Sequence, residues 1–117
     1  MRAEVRRATR VATSRVAYPE ARAGLARRQR EGGLSAANLT RAVTALDRDL
    51  TTLVVVELTE SLARRAGAVA EKHALRGFDA IHLASALDLL DLLQEPVTFR
   101  AFDTRLTTAA AAAGLHI

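Results

Sequence analysis

The chain predicts an α/β layer fold, a mostly parallel sheet flanked by helices in a single domain over residues 1–117. Three observations predict it. LVVVE at 53–57 is a continuous β-branched run of the kind buried on both faces by helices. TSRVAY at 13–18 and VTFRAF at 97–102 are two more strand-like runs, and amphipathic or apolar helical segments follow all three. The length of 117 residues suits one domain, and the 50% hydrophobic content supplies a core.

Taken in order, Val5, Ala8 and Ala12 stand at helical spacing among arginines, which predicts a short solvent-facing helix over 2–11. After the strand 13–18, Pro19 opens a helix through about Arg30, with Ala21, Ala23, Leu25 and Ala26 opposite Arg22, Arg27, Arg28 and Arg30. Gly32 and Gly33 end it. Ser35 is a cap for the next helix, striped by Leu39, Val43, Leu46 and Leu50. Beyond the strand 53–57, Thr59 caps a helix through His73, and Gly77 breaks the chain before DAIHLASALDLLDLL, Asp79 to about Leu93, which Pro96 closes. VTFRAF is the next strand, Asp103 caps TRLTTAAAAA, and Gly114 terminates that helix before a last short strand, LHI.

Composition excludes several classes of function. Cysteine is absent, which removes disulfides, thiolate metal sites and a thiol nucleophile. No apolar run approaches the roughly 20 residues of a membrane span, and MRAEVRRATR lacks a signal-peptide core; the expectation is a cytoplasmic protein without a membrane partner. No GxSxG, phosphate-binding glycine loop or HExxH is present. Aromatics are only 3%, so a base-stacking platform is poorly supplied and nucleic-acid contact leans on charge. That charge is almost all arginine and lies to one side: residues 1–48 hold eleven basic and four acidic side chains, residues 49–117 six and nine. Arginine suits phosphate, although a genome favouring Arg and Ala codons gives the same surface.

Glu20, Asp79 and Asp103 all fall in the first turn or at the cap of an expected helix, two of them directly after an expected strand. Parallel sheets place sites at the carboxyl ends of strands, so the three carboxylates could meet there around a hard divalent cation. Each taken singly also reads as a helix-start carboxylate that stabilises orphan amides. His82, three residues after Asp79, could be a ligand but reads equally as a packing histidine, and His73 and His116 read as structural or exposed.

The strings TSRVAYPEARAGLARR, LVVVELTESLARRAGAVAEKHALRGFDAIHLASAL and VTFRAFDTRLTTAAAAAGLHI together resemble the PIN-domain ribonucleases, specifically the VapC-like toxins of bacterial toxin–antitoxin pairs, over about residues 10–117. RGFDAIHLASAL and the strand followed by FDTRL are specific in combination. The resemblance implies a compact parallel α/β domain and metal-dependent RNA cleavage. It implies that Glu20, Asp79 and Asp103 are catalytic residues holding Mg²⁺ or Mn²⁺, supported by Ser14 and Thr104, with Arg22, Arg27 and Arg28 on the RNA backbone. A VapB-like antitoxin is the implied partner.

Members of that family normally open with an apolar strand bearing an aspartate followed by Thr or Ser. Nothing before Glu20 matches, and Glu4 is the only acidic residue there. The expectation is a chain lacking the first carboxylate and the central strand, assembled as a homodimer or a toxin–antitoxin complex. A catalytically impaired PIN relic that binds RNA or an antitoxin-like partner is the alternative.

Overall fold

The computed structural model describes residues 10–101 and 103–117. Their order is β1 (Ala12–Ser14), α1 (Ala17–Arg30), α2 (Ala36–Leu50), β2 (Val54–Val56), α3 (Glu60–His73), α4 (Gly77–Leu93) and α5 (Thr104–Ala112). The chain is α/β, and its described residues form five helices and a short parallel sheet of β1 and β2. It divides into two compact units, one ending at Val55 and one running from Val56 to Ile117.

In the first unit α1 packs on α2 and on β1. Gly32, at φ 83°, makes the left-handed step that ends α1, and the Ser35 hydroxyl accepts from the Asn38 amide at 3.1 Å to start α2. The stripe Leu39, Val43, Leu46 and Leu50 is half-buried, and neither helix buries a residue fully. Tyr18 ties the pair together, its hydroxyl donating to Asp47 at 2.6 Å and accepting from Arg22 at 3.2 Å.

The second unit carries the core. Leu62, Ala66 and Val69 of α3, Ala80, Leu83, Ala84 and Leu87 of α4, and Leu106, Ala109 and Ala110 of α5 form one cluster with Phe99 and Leu115. GFDAIHLASALDLLDLL is apolar on nearly every side, so α4 can bury against both α3 and α5. Alanines at 66, 80, 84 and 110 keep the helices close. The Thr59 hydroxyl caps α3 through the Leu62 amide at 3.1 Å, and Gly114, at φ 101°, ends the α5 segment.

Several expectations need correction. The helix over 2–11 lies almost wholly outside the described residues; of its spacing set, Ala12 belongs to β1. The first strand is Ala12–Ser14 rather than 13–18, because Ala17 and Tyr18 already belong to α1 and Pro19 occupies its first turn, where its missing N–H costs no bond. β2 is not buried on both faces: Val54 is 40% exposed, since β1 is its one strand neighbour among the described residues. Gly77 does not break the chain but opens α4; the break is made by Ala74, held at φ 53° after α3. The strand expected at 97–102 reduces to one parallel bridge, Thr98 to His116, which also takes up the expected LHI strand. It is held by the Phe99 amide on the His116 carbonyl at 2.7 Å and the His116 amide on the Val97 carbonyl at 2.9 Å. Phe102 is outside the described residues.

Candidate functional site

The expected site residues divide between the units. The first holds Ser14, Glu20, Arg22, Arg27 and Arg28; the second holds Asp79, Asp103 and Thr104.

Glu20 lies on the exposed first turn of α1. The turn is set by Ser14, which is only 4% exposed and whose Oγ accepts from the Val16 amide at 3.3 Å. This bond fixes the passage from β1 into α1 and hence the direction in which the helix carrying Glu20 leaves the strand. Arg27 and Arg28 stand exposed in the last turn of α1 with no polar partner among the described residues, where their charge suits the carbonyl end of the helix. Arg22 differs: it lies 5.8 Å over the Tyr18 ring while donating to the hydroxyl that bonds Asp47 of α2, so it steadies that tyrosine as well as presenting charge.

Asp79 is the third residue of α4, half-buried, and no hydrogen bond or ion pair engages its carboxylate among the described residues. It is not a cap; the cap position is Arg76, whose side chain makes no capping bond. Asp103 is a cap in full: one oxygen, Oδ1, accepts from the Arg105 amide at 2.8 Å and the Leu106 amide at 3.3 Å. The aspartate is exposed and Oδ2 takes no part in the capping. Thr104 follows as the exposed first residue of α5. His82 and His73 are half-buried and His116 is exposed. Within neither unit do three His, Asp or Glu side chains group to hold a metal ion, among the described residues.

One charged cluster escaped the sequence reading. Arg65 of α3 reaches across to α4, where one guanidinium nitrogen bonds Asp88 and Asp91, each at 2.7 Å. Burial alone would lower the Arg65 pKa, but the bonds to Asp88 and Asp91 and their charges outweigh it, and the pKa is raised. The three-residue spacing of the two aspartates, which puts them on one helix face, was the available signal.

The PIN domain model matches residues 1–111, most of the chain and from its first residue. The chain belongs to the PIN-domain family. Two Mycobacterium tuberculosis proteins, Ribonuclease VapC45 of strain CDC 1551 / Oshkosh and Ribonuclease VapC49 of strain ATCC 25618 / H37Rv, are each 41% identical to it over 105 residues. The alignment covers 90% of this chain and 71% of each relative, which makes the chain a VapC-like member. No helix among the described residues of this PIN-family chain is long and apolar enough to cross a membrane.

Proposed function

We propose that the chain is a divalent-metal-dependent ribonuclease of the toxin–antitoxin class, hydrolysing RNA phosphodiester bonds. The observation that best supports this is the 41% identity with two ribonucleases over 90% of the chain. In this reading Glu20, Asp79 and Asp103 hold Mg²⁺ or Mn²⁺ together. The donor chemistry fits such an ion: all three are hard carboxylates, Asp79 has no partner among the described residues, and Asp103 commits only Oδ1 to its helix. When bound, the ion supplies an activated water and neutralises charge at the scissile phosphate.

The chain's own residues prepare that centre. The cap steadies Asp103, whose Oδ1 accepts from two backbone amides. Ser14 steadies the start of the helix that carries Glu20, and Thr104 supports Asp103 as its neighbour. Arg27 and Arg28, with the guanidinium donors of Arg22 that Tyr18 does not take, hold the RNA backbone. A VapB-like antitoxin is the proposed partner, the assembly a homodimer or a toxin–antitoxin complex, and the compartment the cytoplasm.

A second reading is an impaired PIN relic that binds RNA or an antitoxin-like partner without cutting. One experiment separates the two. The purified chain is given a mixed RNA pool with Mg²⁺ or Mn²⁺, and with EDTA. Cleavage that needs the ion and disappears in both Asp79→Asn and Asp103→Asn, with folding intact by circular dichroism, is the expected result; ion-independent binding without cleavage would establish the relic instead.

A further inference from the structure

We infer that Phe78 is the side chain on which an unpaired RNA base stacks, beside the phosphate served by Asp79. The inference rests on the ribonuclease reading and adds to it a base-binding residue.

The chain has three phenylalanines, one tyrosine and no tryptophan. Among the described residues Phe78 is the one exposed aromatic, at 58%, whereas Phe99 is buried in the core of the same unit and Tyr18 is committed to Asp47. The ring stays outside a unit that has a core, so its apolar face is open for a ligand to cover. Its setting favours a nucleotide. Phe78 is the second residue of α4, directly before Asp79 and two after Arg76. Arg76 is exposed and its guanidinium has no polar partner among the described residues. Between them, no atom beyond the chain neighbours and the nearby backbone of α4 comes within 4 Å of where a Cβ on Gly77 would stand, so the backbone can be approached closely.

Cation, flat apolar face and carboxylate thus follow one another within four residues. They answer the three chemistries of a nucleotide: phosphate, base, and the ion that serves the phosphodiester. A protein partner would favour a broader apolar patch. The other exposed large apolar residues are Val54 on β2, Leu58 before α3, Leu92 at the far end of α4 and Ile117 at the end of the chain.

The Phe78→Trp variant tests this, because the chain has no other tryptophan and the new indole is the sole such fluorophore. The probe is a dye-labelled single-stranded oligoribonucleotide of mixed sequence, with Ca²⁺ in place of Mg²⁺ to slow cutting. The free variant should emit as an exposed indole, and the oligomer should quench it about twofold or more, while an abasic oligomer of equal length should not. In the wild-type background, Phe78→Ala should weaken binding and raise KM about tenfold or more with kcat little changed, and Phe78→Tyr should restore it. Oligomer binding by anisotropy without quenching, or a Phe78→Ala variant that binds like wild type, would overturn the role of Phe78 and leave the ribonuclease reading intact. Neither binding nor cleavage by the wild-type chain would overturn both. Blue-shifted emission that reverts on dilution would show the ring covered by a second copy and overturn the stacking role alone.

Discussion

In the unit from Val56 to Ile117, twelve side chains from three helices and the 98–116 bridge region form one buried cluster, whereas in the unit ending at Val55 only Ser14 and Val16 are buried among the described residues. The charges divide in parallel: eleven basic and five acidic residues up to Val55, six and eight beyond it. The second unit is held by packing, the first by half-buried leucines and valines, a serine cap and the Tyr18–Asp47 bond. The described arginines of the first unit therefore lie where few side chains are buried, a common place for surfaces that adapt to a partner.

Truncating matched leucines should test this contrast most strongly. Leu83→Ala removes a side chain of zero exposure and should cost about 2–5 kcal/mol, whereas Leu39→Ala on the half-buried stripe should cost about half of that or less. Equal losses in urea melts would break the comparison.

Next in size is Arg65→Met. It removes both bonds from α3 to α4 and should cost about 1 kcal/mol, a modest figure because the pair is partly solvated. The raised Arg65 pKa carries a definite pH sign. The charged form is favoured in the folded state, so this contribution is complete below the unfolded arginine pKa and fades only as pH rises through the higher folded value. The cost of Arg65→Met should consequently be level from about pH 7 to 10, which melts at several pH values would check.

Tyr18→Phe should cost about 0.5–1 kcal/mol, with the change in amide hydrogen exchange confined to α1 and α2. Protection lost from α3 and α4 as well would mean that the units open together. The smallest effect on stability is expected for Arg27→Ala combined with Arg28→Ala, within about 0.5 kcal/mol, because neither side chain has a polar partner among the described residues. If both meet RNA phosphates, the double variant should bind RNA more weakly and lower the slope of log affinity against log salt by about 2.

The helices were largely legible along the chain because their signals are local. Ser35, Thr59 and Asp103 were recognised as caps, and each accepts the amide hydrogen bonds that a cap requires. The strands were less legible. LVVVE and VTFRAF have strand composition, but the length of a strand depends on the neighbour that accepts its hydrogen bonds, and here that leaves Val54–Val56 and one bridge at Thr98. Glycine placement misled at Gly77, since Ala74 takes the left-handed turn and leaves Gly77 free to start α4.

The candidate site divides in the same way. Sequence by itself isolated Glu20, Asp79 and Asp103 as helix-start carboxylates, because residue type and spacing along one chain are enough to mark such positions, while the roles of Ser14, Thr104 and the arginines came from the family resemblance. Tertiary structure alone decided that Asp103 spends one oxygen on its helix while Asp79 spends none, that Arg22 is partly committed to Tyr18, and that Phe78 rather than Phe99 faces solvent. Those outcomes depend on which side chains the helices already enclose when they pack, and helical spacing does not specify that when a segment such as α4 is apolar on nearly every side.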